Sequence, residues 1–309
     1  MTDLPLHTKY RPKTFEEVMG NDATVESLRS TLQRETGRPH AFLLQGPSGC
    51  GKSTLARIIA KELGCGDMEF KELNAANVRG IDTIRTIIDG CQYRPLTGKC
   101  RVYVLDEAAK LTSDAQNALL KILEDPPSYV YFILCTTDPE KLIRTIRTRC
   151  TTFQVATLQR AKMYSLLERV CRAENIQVPA DVMKQIVWVA SGSPRKALVL
   201  LDQVRGIEEP GLMAAAITES YADESAIIDI CRILAQPASS TRWQDLSPLL
   251  RDFRGDPEQA RYAIMSYLEK VLLSTGDKRI GQVMGCFMDS FMYTGKPGLV
   301  YCCFLSCSY

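Results

Sequence analysis

Residues 41–53 read Ala41-Phe42-Leu43-Leu44-Gln45-Gly46-Pro47-Ser48-Gly49-Cys50-Gly51-Lys52-Ser53, a short apolar run that enters a glycine-rich turn. The following stretch, Ser53 to Leu63, sets Leu55, Ile58, Ile59 and Leu63 on one helical stripe. Gly46 to Ser53 fits G-x-x-x-x-G-K-[ST], and a strand before it and a helix after it give that motif its physical meaning. The glycines let the loop wrap so that the backbone N–H groups of Gly46, Pro47's neighbours Ser48 and Gly49, Cys50 and Gly51 point inward at phosphate oxygens. The helix N-terminus, with Thr54 in its first turn, adds partial positive charge. Lys52 is expected to reach the β- and γ-phosphates, and the Ser53 hydroxyl to ligate Mg²⁺.

Working outward, the pattern repeats. Arg101-Val102-Tyr103-Val104-Leu105 is a β-branched strand ending in Asp106-Glu107, and Val130 to Cys135 is another apolar strand. Phe70 to Leu73 is a weaker strand. Ile81 to Ile88 and Ser113 to Leu123 read as helices, the second capped by Ser113 or Thr112 and stopped by Pro126-Pro127. Strands alternating with helices predict a parallel sheet covered on both faces, an α/β fold. After about residue 157 only helices are expected, at Lys162 to Glu174, Ala180 to Ala190 and Pro194 to Gln203. Further helices are expected near Glu224 to Leu234, Gln259 to Leu273 and Gly281 to Met292. The expected division is 1–157, 158–222 and 223–309. Asp106 is the candidate for the Mg²⁺ shell, and Glu107 for polarising an attacking water. With the loop at 46–53, the pair points to ATP or GTP hydrolysis.

The composition is that of an ordinary globular chain: 309 residues, 45% hydrophobic, 24% charged, net charge +2. Disorder and collagen-like repeats are excluded. No apolar run approaches the roughly 18 residues of a membrane span. No signal peptide is recognised, so a cytoplasmic protein is expected, without membrane partners. The 12 cysteines include no CxxC, and His7 and His40 are the two histidines. Reduced, mostly buried thiols are expected rather than zinc sites, and general-base work falls to a carboxylate.

Several further stretches resemble one family, the AAA+ clamp-loader ATPases: replication factor C small subunits, bacterial gamma/tau subunits and phage counterparts. Lys9-Tyr10-Arg11-Pro12-Lys13-Thr14-Phe15 is similar to the family's opening segment, with Val18 and Gly20 following. Arg79-Gly80-Ile81-Asp82 resembles the start of its central helix. Asp106-Glu107-Ala108 resembles Walker B, Cys135-Thr136-Thr137-Asp138 the sensor 1 strand end, Thr148-Arg149-Cys150 the Ser-Arg-Cys motif and Gly192-Ser193-Pro194-Arg195 sensor 2. The resemblance covers residues 8 to about 205 and implies a P-loop AAA+ domain, a small helical lid and an all-helical C-terminal collar. It implies ATP and Mg²⁺ as ligands. Tyr10, Arg11, Pro12 and Val18 would line the adenine side. Thr137 would orient water or the γ-phosphate, and Arg195 would contact the nucleotide of its own subunit. Arg149 would be the finger supplied in trans. Between residues 141 and 162 the cations Lys141, Arg144, Arg147, Arg149, Arg160 and Lys162 meet no acid in sequence, so local neutralisation of Arg149 is not expected.

The implied partners are other subunits in a ring, expected to be pentameric, a sliding clamp and primer–template DNA. Arg79, Arg85 and Ser113 are candidate phosphate contacts; Arg94, Lys99 and Arg101 add charge to the same segment. Ile88 to Leu96, with Tyr93, is the candidate clamp-facing stretch. Helices from Gln259 to Leu273 and Gly281 to Leu305 are assigned to the collar, with Met284, Phe287, Met288, Phe291 and Met292 suiting either subunit contacts or a core. The four-cysteine zinc module of bacterial gamma/tau subunits is absent, and Thr148 replaces the usual Ser; these departures favour the replication factor C small-subunit or phage type. The resulting expectation is an ATPase subunit that opens a clamp and loads it on DNA. The alternatives are a non-hydrolysing scaffold subunit, or another AAA+ remodeller such as a branch-migration helicase or helicase loader.

Overall fold

The computed structural model describes residues 4–309 apart from 79, 221, 238, 240 and 292, with backbone alone at 218–220 and 222–225. Contacts divide the chain into two compact units, Met1–Pro210 and Gly211–Tyr309. In the first, α1 (Leu6–Lys9) and α2 (Asp22–Leu32) precede β1 (Ala41–Gln45). Next come α3 (Lys52–Glu62), β2 (Cys65–Asn74), α4 (Ile81–Cys91), β3 (Cys100–Asp106), α5 (Ser113–Glu124), β4 (Val130–Thr136), α6 (Arg144–Arg149) and β5 (Thr151–Gln154). Helices α7 (Arg160–Glu174), α8 (Ala180–Val189) and α9 (Pro194–Val204) complete the unit.

The five strands pair in the order β2-β3-β4-β1-β5, all parallel. An all-parallel sheet buries both faces, and alternate residues serve each. Phe42, Leu44, Val102, Val104 and Ile133 pack against Leu55, Ile58 and Ile59 of α3 and Val25 and Leu28 of α2. Leu43, Leu105, Phe132 and Leu134 face Ile84 and Ile87 of α4, Leu119 of α5 and Ile146 of α6. The Thr112 side chain, not Ser113, caps α5 by accepting a hydrogen bond from Ala115 N at 3.3 Å. The strand order decides where function can sit. β3, β4 and β1 are neighbours, so the residues leaving their carboxyl ends (Asp106, Thr136 and Gly46) share one edge of the sheet. Gly46 N donates to Thr136 O at 3.2 Å across that edge.

The second unit is helical: α10 (Pro210–Ser220), α11 (Ala222–Ala235), α12 (Arg242–Asp252), α13 (Pro257–Thr275), α14 (Lys278–Gly285) and α15 (Gly295–Ser306). Leu234, Leu246, Phe253, Ile264, Leu268, Phe287 and Leu299 are among its core. Arg242, 2% exposed, donates to the carbonyls of Ser306, at 2.9 Å, and Gln236. Arg279 donates to Leu234, Ala235 and Gln236 O. Two guanidiniums thus satisfy carbonyls left open at the end of α11. The helix expected near Gly281 to Met292 instead ends at Gly285, so the stretch to Leu305 assigned to the collar is broken between α14 and α15. Phe287 and Phe291 turn into the core there, Met284 packs partly against it and Met288 stays exposed. Met292 lies outside the described residues. Among the described residues no helix is long and apolar enough to cross a membrane.

Candidate active site

The loop after β1 is held by close approach. A Cβ on Gly46 would lie 2.0 Å from the carbonyl oxygen of Val155, and one on Gly49, at φ +71°, would lie 2.2 Å from Ser193 Oγ. Only glycine lets the loop pass between β5 and the start of α9. Lys52 is buried, and its ammonium donates to the carbonyls of Gly46 at 2.8 Å and Pro47 at 2.9 Å. Ser53 Oγ donates to Asp106 Oδ2 at 2.7 Å, and Glu107 N donates to Asp106 Oδ1 at 3.0 Å. A hydroxyl beside a carboxylate at the mouth of a phosphate loop is the oxygen set that suits a hard divalent cation. Glu107 adopts φ 54°, a left-handed conformation uncommon for a carboxylate side chain and one that recurs at functional sites.

One cavity of ≈ 150 Å³ gathers Ser48 to Leu55, Asp106 and Glu107 with Tyr10, Arg11, Pro12 and Val18 of the N-terminal arm. Arg195, at the start of α9, lines it as well, and its N–H reaches Gly49 O at 3.5 Å. Burial pulls the Arg11 guanidinium down from its usual range, and the neighbouring Arg57 and Arg195 pull the same way. The crowding of Arg11, Arg57 and Arg195 is a field that a polyphosphate would relieve. The arm is fastened to the end of α7. Lys9 Nζ donates to the Glu174 carboxylate at 2.9 Å, with its other oxygen 2.7 Å away, and Tyr10 Oη donates to the same group. Burial, then that bond, pushes the Tyr10 phenol up to about 12, while Lys9 and Tyr10 hold Glu174 below its usual range.

The site also draws on residues the sequence did not single out. His7, Asn21, Leu158, Leu166, Arg169 and Leu198 line the cavity. Leu166 and Arg169 carry a faint signal, being three apart on the amphipathic α7. Glu174 carries none, since its partners lie more than 160 residues away.

Other expected residues lie elsewhere. Gly46 and Pro47 meet the site through their carbonyls on Lys52 rather than by lining the cavity. Thr137 follows β4 and donates to Asp138 Oδ2 at 3.1 Å. Arg149 ends α6, donates to Thr145 O at 3.2 Å and pairs with Glu124. The expectation that no acid neutralises it is therefore corrected: the acid comes from the end of α5, outside the acid-free stretch. Arg85 sits on α4 and pairs with Asp82 at 3.1 Å, both well exposed, and Ser113 is the first residue of α5. Arg79 lies outside the described residues. Arg101, counted among the available cations, is instead locked to Glu69 at 2.5 Å, with side chains 13% and 3% exposed.

Comparison with known proteins agrees with this geometry. A family profile described as "DNA polymerase III, delta subunit" matches residues 67–159. The DNA polymerase III subunit gamma/tau of Mycobacterium tuberculosis is 36% identical over 225 residues, covering 65% of this chain and 39% of that protein. Subunit tau of Bacillus subtilis is 30% identical over 296 residues, 87% of this chain and 51% of that protein. Escherichia coli subunit tau is 34% identical over 220 residues, 64% and 34%. The chain thus spans between about a third and half of the length of these relatives. The absent four-cysteine module is a departure within this similarity, and these matches do not favour the replication factor C or phage type. The Thermotoga maritima RuvB Holliday junction branch migration motor shares the fold, with a TM-score of 0.58 at 20% identity over 77% of this chain and 85% of that one. The phosphate loop after β1, the paired acids after β3 and the gamma/tau relatives agree: the chain belongs to the AAA+ clamp-loader subunits.

Proposed function

We propose that this chain is an ATPase subunit of a sliding-clamp loader. ATP binding closes a ring of subunits, opens the clamp and grips primer–template DNA; hydrolysis releases the clamp onto DNA. The observation that carries this reading is the convergence of Lys52, Ser53, Asp106, Glu107 and Arg195 with the N-terminal arm on one cavity.

In this mechanism the phosphates draw the Lys52 ammonium off its carbonyls, and the loop N–H groups hold the phosphate oxygens. Ser53 and Asp106 would hold Mg²⁺, which offsets phosphate charge. Glu107 polarises the water that attacks the γ-phosphorus. Arg195 brings charge from α9, and Tyr10, Arg11 and Pro12 receive the base. Arg149 acts in trans on a neighbour's γ-phosphate, leaving Glu124 when the neighbour docks; fingers of this kind are worth about 10³–10⁵ in rate. Arg85, the start of α5 at Ser113, and Arg79 contact the DNA backbone. The exposed Tyr93 and Leu96, just beyond α4, support the clamp-facing role of that stretch. Exposed Tyr262, Leu273, Tyr301 and Phe304 suit subunit contacts of the second unit as the collar.

The test is ATP hydrolysis by the chain with and without primed DNA and a clamp, beside the Arg149→Ala protein. Turnover that rises with primed DNA and collapses without Arg149 supports the proposal. Turnover indifferent to DNA, clamp and Arg149 refutes it.

A further inference from the structure

Cys65 opens β2 and stands opposite Cys100, the first residue of β3, in parallel register. Neighbouring strands run about 4.7–4.9 Å apart, inside the Cα separation of about 4.4–6.8 Å that a disulfide spans. The single S–H of each thiol is donated locally, Cys65 Sγ to Gly66 O at 3.5 Å and Cys100 Sγ to Leu63 O at 3.4 Å.

The two differ in access. Cys100 is 3% exposed. Cys65 is half-buried and borders a groove of ≈ 440 Å³ along α3, a volume in the range of small-molecule sites. Arg11, Lys13, Arg57 and Lys61 line that groove against one acid, Asp67. Glu72 pairs with Arg57, and Glu69, near Cys65, is taken up by Arg101. The groove therefore keeps a positive excess in front of an accessible thiol, with a second thiol behind it.

We propose that Cys65 and Cys100 form a thiol–disulfide pair that reacts with anionic low-molecular-weight disulfides, Cys65 attacking and Cys100 resolving. In the first step Cys65 loses its proton to solvent and its thiolate attacks one sulfur of the disulfide RSSR. A Cys65–SR bond forms, the S–S bond breaks, and RS⁻ leaves and takes up a proton. In the second, Cys100 gives up its proton and its sulfur attacks Cys65 Sγ, breaking the mixed disulfide and releasing the second RSH. Two protein thiols are oxidised to one disulfide, and one RSSR is reduced to two RSH. The bond ties the residues just past α3 to the strand that ends in Asp106-Glu107.

The order of attack follows from the surroundings. The neighbouring Cys100 thiol draws the Cys65 thiol below its usual range against the effect of burial, and Arg101 helps. The same proximity, with burial, pushes Cys100 up. Burial also pushes up Cys91, Cys135, Cys150, Cys231 and Cys303. A thiolate attacks, not a thiol, so Cys65 leads.

The test uses the full chain and oxidised glutathione, quenched with acid, alkylated after denaturation and mapped by mass spectrometry. No nucleotide is needed, so the result stands apart from the ATPase reading. The expected result is a Cys65–Cys100 disulfide forming about tenfold faster than modification of any other thiol. The rate should exceed that with cationic cystamine at low salt and lose this preference at high salt, where the groove's charge is screened. Cys100→Ser should stop at glutathione on Cys65, and Lys61→Gln should slow the first step. The map of the unsubstituted chain decides the matter even if Cys100→Ser does not fold. Another thiol reacting first, a Cys65 adduct that never resolves to Cys100, or equal rates with the cationic disulfide would each overturn the proposal.

Discussion

Replacing Glu69 by Gln keeps the side chain's shape and removes one charge of the most buried ion pair described in the first unit. Glu69 is 2% exposed. One carboxylate oxygen accepts from Arg101 Nε at 2.5 Å and the other from Leu96 N at 2.7 Å. Arg101 in turn donates to the carbonyls of Gly90 and, at 3.2 Å, Tyr93. Breaking a buried pair by removing one partner costs about 3–5 kcal/mol, because the other charge stays buried and unpaired. With a urea m-value of about 2–3 kcal/mol/M, the midpoint falls by about 1–2.5 M. Trp188 and Trp243 fall in different units, so tryptophan fluorescence in a Trp243→Phe background follows the first unit alone. The Arg101 hydrogen bond holds the Glu69 carboxyl below its usual range, with burial opposing. A lowered folded-state value means stability that is present above the unfolded pKa of about 4.3 and is lost as pH falls through the folded value. The gap between parent and Glu69→Gln should therefore be full at pH 7 and close below about pH 4. A midpoint shift under about 0.5 M at pH 7, or one unchanged in acid, would refute the reasoning. Because the pair pins residues 90–96, amide exchange at Tyr93 and Leu96 should quicken in the same variant.

Three further outcomes are expected. Lys52→Ala should cut ATP turnover by about 10²–10³ in a coupled assay, since it removes a charge aimed at the transferring phosphate. Gly49→Ala meets Ser193 Oγ in a left-handed conformation, at a strain of about 1–2 kcal/mol; binding of a fluorescent ATP analogue should weaken about tenfold and the thermal midpoint should fall by about 2–8 °C. Glu174→Gln keeps an acceptor for Tyr10 and drops the charge that faces Lys9, so the arm loosens: KM for ATP should rise a few-fold with kcat unchanged. A fall in kcat alone would count against that last assignment.

Most of the sheet was legible because its central strands are apolar throughout. All seven residues of β4 are buried, and four of the five in β1. The edge strands were not. β5 buries Phe153 alone, and β2 begins Cys65-Gly66-Asp67-Met68-Glu69, which reads as a turn although it pairs with β3. α12 was missed because Pro248 falls within it, and α2 because its apolar residues are few, Val25, Leu28 and Leu32. The helix expected over 281–292 shows the opposite error, since α14 ends at Gly285. Phe287 and Phe291 keep a helix-like spacing, yet they enter the core from the segment between two helices. Apolar spacing alone does not tell the two apart.

The candidate site divides in the same way. The phosphate loop and the acids after β3 could be read because each is a local motif whose backbone sets its chemistry. The fate of single charges could not, because partners come from remote segments. Arg101 and Arg149 looked alike in sequence, both cations near few acids. Arg101 meets an acid from the adjacent strand inside the protein and is fixed there. Arg149 meets Glu124 at the surface, where the carboxylate is 54% exposed. Exposed pairs are worth only about 0–1 kcal/mol, so the trans role proposed for Arg149 would require giving up Glu124 at little cost. The acid-poor stretch from 141 to 162 could not reveal the Arg149 pair, because Glu124 comes from the end of α5 and reaches it only in the fold.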